Sequence, residues 1–186
     1  QTFPNAKAAE EASYEEYKDN LRRTAENFRI TDDHLGEGGP KAKFQANIAA
    51  IKLLKYLEET TEQATPEQQK ILSRYVGWGG LADAFDPEKP AWAAEYTQLK
   101  ELLTPEEYTA ARGSTLNAHY TSPTVIRAIY ETVGRMGFET GNILEPSMGV
   151  GNFFGMLPEE MRNSRLYGVE LDPVSGRIAK QLYPKA

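Results

Sequence analysis

The chain contains no cysteine and only two histidines, His34 and His119, among its 186 residues. The first absence excludes disulfides and cysteine-ligated zinc or iron–sulfur sites, and it is compatible with a reducing cytoplasm, where the protein is expected. The second excludes a histidine-rich metal centre, so no metal is expected. No apolar run approaches the roughly 20 residues that a bilayer span needs. The opening Gln1-Thr2-Phe3-Pro4-Asn5 lacks the basic and apolar regions of a secretory leader. Positive charge is also scarce: the formal net charge is −6, with the acid excess mostly in the first hundred or so residues and the remainder close to neutral. Phosphate contacts dominate nucleic-acid affinity, so the chain by itself is not expected to grip nucleic acid. What is present, 40% hydrophobic and 26% charged residues, is the composition of a globular protein. There is no initiator Met, and the sequence stops at Tyr183-Pro184-Lys185-Ala186, just after a helical pattern, so both ends read as cut.

The first 113 residues read as helical. Tyr14, Tyr17, Leu21, Ala25 and Phe28 recur at spacings of three and four, the stripe of an amphipathic helix, and the Tyr14/Tyr17 part is expected to be core or a packing face. Three glycines and a proline between Gly36 and Pro40 make a loop. Phe44, Ile48, Ile51, Leu54 and Leu57 then share one face of a second helix. Thr65-Pro66-Glu67-Gln68 and Thr104-Pro105-Glu106-Glu107 are capping boxes with proline at the first helical position. The first opens a helix through Ile71, Leu72 and Tyr75 that ends at Gly77-Trp78-Gly79-Gly80; the second opens a helix ending near Gly113. Between them, after the Pro-rich stretch Phe85 to Pro90, a helix spans Trp92 to Leu103. Phe85, Trp92, Tyr96 and Leu99 are not linker composition, so this helical region is expected to pack on the C-terminal part of the chain and to cover its sheet.

Near residue 114 the pattern changes. Ser122-Pro123 starts a helix with Val125, Ile126, Ile129, Tyr130 and Val133 as its apolar face. A short strand, Asn142 to Glu145, leads into the loop Pro146-Ser147-Met148-Gly149-Val150-Gly151. A second strand, Arg165 to Glu170, ends in acid, and a final helix follows Asp172-Pro173. Strand, glycine loop, helix, strand, acid, helix is the start of a doubly wound sheet. The fold expected is α/β with a large helical N-terminal region (1–113) and a partial Rossmann-like sheet (114–186).

A glycine loop after the first strand brings backbone N–H groups and a helix N-terminus to a ligand. Three ligand classes use it. The triphosphate loop needs Gly-x-x-x-x-Gly-Lys-Ser/Thr, and no such Lys follows Gly151. The dinucleotide fingerprint needs glycine at 154, where Phe154 stands. Glu145 at the mouth of the loop would repel a pyrophosphate but favours the sulfonium and ammonium of S-adenosylmethionine: opposite unit charges ~4 Å apart at a dielectric near 20 attract by ~4 kcal/mol before desolvation. Glu170 is placed to accept from both ribose hydroxyls, a role shared with dinucleotide enzymes. The bland alternative is a tight turn at Gly149 and Gly151 without a ligand.

These residues carry a resemblance. Asn142 to Phe154, with Glu145-Pro146-Ser147-Met148-Gly149-Val150-Gly151-Asn152-Phe153 at its centre, resembles the first cofactor motif of N6-adenine DNA methyltransferases. Tyr167-Gly168-Val169-Glu170-Leu171-Asp172-Pro173 resembles the second. His119-Tyr120-Thr121-Ser122-Pro123 resembles the Tyr-Thr-Pro-Pro element that precedes them, whose threonine and backbone contact the methionine end of the cofactor; Ser122 departs from that pattern. The resemblance implies a cofactor set of His119, Tyr120, Thr121, Glu145, Pro146, Ser147, Gly149, Gly151, Asn152, Phe153, Glu170 and Leu171 around S-adenosylmethionine. It implies methyl transfer to an exocyclic amine of DNA, adenine N6 before cytosine N4. The family's Asp/Asn-Pro-Pro-aromatic motif, which holds the flipped base, does not occur here, so no residue is assigned to catalysis. Leu35 to Asn47, Leu72 to Leu81 and Ser114 to Pro123 are similar to the large helicase–methylase polypeptides of conjugative elements and phages. That likeness implies a downstream helicase in the same polypeptide and DNA as a partner of the whole.

Two other readings remain open at this point, a non-catalytic module with a vestigial pocket and a dinucleotide-dependent oxidoreductase fragment. Four residues have readings of their own. Trp78 is a packing plug before it is a base-stacking platform. Lys41 and Lys43 are a solvated helix start before they are a phosphate site. His119 is as well placed to line a pocket as to be structural.

Overall fold

In a computed structural model, which describes residues 4–32 and 34–186, α-helices dominate and two strands form a small sheet. Gln1, Thr2 and Phe3, which bear on the absence of a leader, and Asp33 of the first loop lie outside the described residues. No described helix is long and apolar enough to cross a membrane.

Helix α1 (Pro4–Thr24) stops short of the stripe that the sequence suggests. Tyr14 and Tyr17 are 43% and 50% exposed, so they are not core as expected. Tyr14 donates to Glu62 and carries Lys18 Nζ 4.9 Å over its ring. Phe28 leaves the helix and packs against the core. Around it the chain runs extended, with Phe28 N–H bonding Leu182 O at 2.7 Å and Ile30 N–H bonding Gly155 O at 2.9 Å.

Helix α2 (Pro40–Thr60) buries Phe44, Ile48, Ile51, Leu54 and Leu57 as its spacing predicts. Both capping boxes form. In α3 (Pro66–Leu72), Thr65 and Gln68 exchange side-chain-to-backbone bonds of 2.8 and 3.3 Å. After α4 (Ala93–Leu102), helix α5 (Pro105–Ser114) is started by Thr104 and Glu107 in the same way, at 3.0 and 3.2 Å. Each box satisfies end amides that a helix otherwise leaves unpaired. Helix α3 ends at Leu72, earlier than expected, and turns carry the chain through Tyr75 to Gly80. There Trp78 is 1% exposed and meets Phe44, Tyr75 and Phe85 edge-on at 6.0, 6.4 and 5.3 Å. It is a packing plug, and the stacking-platform alternative falls. Asn47, fully buried on α2, fixes this turn: its side chain donates to Gly77 O at 2.6 Å and accepts from Val76 N–H at 2.9 Å.

Helix α6 (Pro123–Arg135) buries Ile126 and Tyr130, while Val125 and Ile129 of its expected apolar face are exposed. Strands β1 (Asn142–Glu145) and β2 (Arg165–Gly168) pair in parallel, Asn142 opposite Arg165 and Glu145 opposite Gly168. Helix α7 (Asn152–Gly155) and a 3-10 turn at Glu159–Met161 lie between them, and α8 (Pro173–Leu182) comes last. The α/β expectation is met to this extent: two parallel strands on a crossover, with no wider Rossmann-like sheet among the described residues. Strand β2 ends at Gly168, so Glu170 stands in the turn beyond it.

One face of the sheet stays uncovered, contrary to expectation. Leu144 and Tyr167, opposite each other in register, are 62% and 48% exposed. The helices ahead of residue 114 gather on α8, with α2, α3 and α5 all contacting it. Gln69, buried on α3, donates to Gln181 O at 3.1 Å. Arg177 of α8 reaches Glu58 on α2 at 3.0 Å and pairs with Glu107 on α5. Burial alone would raise the Glu107 carboxyl; the Thr104 amide, Lys55 and Arg177 outweigh it and hold it below the ordinary carboxylate value.

Candidate functional site

The parallel pairing continues past the strands and shapes the loop. Val169 N–H bonds Glu145 O at 2.9 Å and Met148 N–H bonds Val169 O at 3.1 Å, so the first loop is laced to the chain leaving β2. Glu170 then ties the two together. One of its carboxylate oxygens accepts from Gly149 N–H at 2.7 Å and the other from Asp172 N–H at 2.8 Å. Asp172 caps α8 by accepting from Ser175 N–H at 2.8 Å. The glycine loop and the α8 start are thus fixed to one carboxylate.

Gly149 has φ +55°, and a Cβ there would lie 2.7 Å from the Tyr120 ring. Gly77 has φ +67°, and its Cβ would lie 2.8 Å from the same ring. The Tyr120 phenol is therefore held between a glycine of the helical region and a glycine of the loop, its hydroxyl 3.4 Å from Ser175 Oγ. Burial pushes its ionisation far above the ordinary tyrosine range, so it is a neutral hydrogen-bonding group. Gly79 meets the same element more closely still, since its Cβ would fall 1.9 Å from Ala118 O. Gly151, at φ +86°, gives way to the Tyr183 ring and has a structural part to play.

Above this floor opens a cavity of about 460 Å³. It is lined by His119, Tyr120, Thr121, Glu145, Ser147, Gly149, Asn152, Phe153, Glu170 and Leu171, ten of the twelve residues singled out from the sequence. Pro146 and Gly151 do not line it. Met148, Asp172, Ser175, Asn117 and Ala118 also line it, as do Tyr75, Gly77, Ala110 and Gly113 from the helical part and Ser114 at the end of α5; sequence reasoning missed all of these. The Gly77-Trp78-Gly79-Gly80 run was a usable signal, because clustered glycines mark close backbone approach. Ala110, Gly113 and Ser114 give none. His119 lines the cavity and also bonds Leu116 O at 3.2 Å through its ring, so its two readings hold together.

Two carboxylates, Glu145 and Glu170, bring negative charge to the cavity lining. Neither Glu145 nor Glu170 forms an ion pair with a lysine or arginine among the described residues. Burial raises the Glu145 carboxyl above its ordinary value, and a bond from the Ser147 amide only partly offsets it. A positive group beside it would restore the ionised form. The expected helix N-terminus is nearly absent: α7 is four residues long and offers little dipole to an anion. Lys41 does not line the cavity. It pairs with Glu95 at 2.7 Å and lies 3.9 Å over the Trp92 ring. No cluster of metal-ligating side chains exists among the described residues.

Comparison with known proteins gives two likenesses. The chain is 27% identical over 150 residues, 81% of its length, to the "Defense against restriction protein B" of Escherichia phage P1. Over 52 residues, 28% of its length, it is 42% identical to the "Type II methyltransferase M.CvrRI" of Paramecium bursaria Chlorella virus XZ-6E. It spans only 5% of the phage protein and 13% of the viral methyltransferase. No protein-family model matches the chain, and no solved structure does. The partial likeness supports a methyltransferase-like role.

Proposed function

We propose that this chain is the S-adenosylmethionine-binding part of a DNA methyltransferase that modifies an exocyclic amine, adenine N6 by resemblance. The observation that carries the reading is the cavity over Gly149, flanked by two carboxylates without cationic partners. A dinucleotide would bring a pyrophosphate to a site with two acids and a one-turn helix, which is the wrong charge and a weak dipole. An adenosyl sulfonium fits both. Glu145 would face its positive groups, Glu170 would accept from the ribose hydroxyls, and Thr121 with the adjoining backbone would meet the amino-acid end. When bound, the cofactor supplies the methyl group; the residues present here hold and orient it. Residues 1–113 form the helical region and 114–186 the cofactor-binding part, acting in the cytoplasm within a longer polypeptide that brings DNA and a helicase region.

Calorimetry tests this directly. The chain is expected to bind S-adenosylhomocysteine and S-adenosylmethionine and not NAD. Binding of NAD alone would favour an oxidoreductase fragment, and binding of neither would make the pocket vestigial. Because the base-clamping motif is missing, no labelled methyl should pass to DNA from the chain alone; positioning supplies much of any rate enhancement. Incorporation by the chain alone would overturn that part of the reading.

A further inference from the structure

One wall of the cavity comes from outside the methylase-like motifs. Tyr75 and Gly77 belong to the turn after α3, and Ala110, Gly113 and Ser114 to α5. Helix α5 is locked in place. Ala111 is buried in the core, and Glu107 pairs with Arg177, one turn into α8 from the Glu170–Asp172 turn. The α5 positions that reach the cavity, Ala110, Gly113 and Ser114, are all small.

Gly113 is the informative one. A Cβ built there meets no atom within 4 Å, and its φ lies outside the left-handed region. Neither packing nor backbone conformation calls for glycine, yet glycine in a helix costs stability relative to alanine. Gly113 is thus an open position on the cavity wall, with room beside it for a bound group. Tyr75, 1% exposed, lines the same cavity and sets its hydroxyl beside Ser175 and the Trp78 indole.

We infer that the helical region completes the ligand site: α5 and the Tyr75–Gly77 turn form the wall against which the flat purine of the adenosyl ligand lies, with Gly113 as its open face. The inference rests on the cofactor reading proposed for the cavity. With the ribose at Glu170 and the amino-acid end over the glycine loop, the ring lies toward Leu171 and Asp172, which line the same cavity as the α5 residues. Binding then joins the two halves of the molecule, and residues 114–186 alone hold only part of the site.

The test uses the whole 186-residue chain and S-adenosylhomocysteine. Gly113→Ala should bind as the wild type does and melt no lower. Gly113→Trp, folded by circular dichroism, should bind at least about tenfold more weakly, a loss of about 1.4 kcal/mol. Hydrogen exchange on the wild type gives a second readout: the ligand should slow amides at 110–114 as well as at 149–152. Unchanged affinity in folded Gly113→Trp overturns the inference and leaves the cofactor reading standing. If that variant does not fold, exchange decides, and protection confined to the glycine loop overturns it. A wild type that binds nothing overturns both.

Discussion

Glu145 and Glu170 sit at the mouth of one cavity and differ in what their oxygens already do. Both oxygens of Glu170 accept backbone amides, from Gly149 and Asp172, and each keeps a lone pair for a ribose hydroxyl. Glu170→Ala should therefore weaken S-adenosylhomocysteine binding by about 1.5–3 kcal/mol, the range for a hydrogen bond to a charged acceptor. Calorimetry showing equal affinity would remove Glu170 from the site. Glu145 makes a pH prediction instead. Its folded carboxyl is raised above the ordinary 4.5 by burial. In the free protein, stability held while it is protonated is lost as pH rises from 4.5 through that raised value. A cationic ligand favours the ionised form, so affinity should move the other way, tightening as pH rises through the same window and levelling off above it. Titrations across that window in wild type and Glu145→Gln check this: a slope that survives in the variant means another group is responsible.

Single elements show what the sequence made visible. Thr65-Pro66-Glu67-Gln68 and Thr104-Pro105-Glu106-Glu107 read as helix starts because capping is local chemistry, and both boxes form. The strand–loop–strand order of the methylase-like motifs was equally local, and most of the residues drawn from it line the cavity. Helix α1 was overread because a stripe says which residues could face a partner and not whether one comes. The α5 wall was invisible because small side chains carry no pattern. Asn47 is the contrasting case, a polar residue inside the α2 apolar face whose purpose emerges only with the turn it holds. Asn47→Ala should leave Val76 N–H and Gly77 O without their partner, at about 1–3 kcal/mol for each group that stays buried. Thermal unfolding is the measurement, and an unchanged midpoint would mean that water replaces the side chain.

At the scale of the whole molecule, α8 is the element on which the rest converges. Gln69, Gln181, Arg177 and Glu107 join it to the helices ahead of residue 114, and the Tyr120 ring is shared between Gly77 and Gly149. Limited proteolysis should accordingly find the stretch between residues 80 and 114 resistant. A rapid cut there that releases a stable C-terminal fragment would mean two independent domains. The extended segment around Phe28 also sets a clock on synthesis. Its partners are Leu182 and, through Asn27, Lys185, the latter 158 residues further along the sequence. At roughly 5–20 residues per second, a ribosome delivers those partners about 8–30 s after Asn27 has been made. Through that interval the early helices wait with one flank unsealed. Until α8 emerges, the nascent chain stays open on that flank to chaperones, proteases and wrong partners.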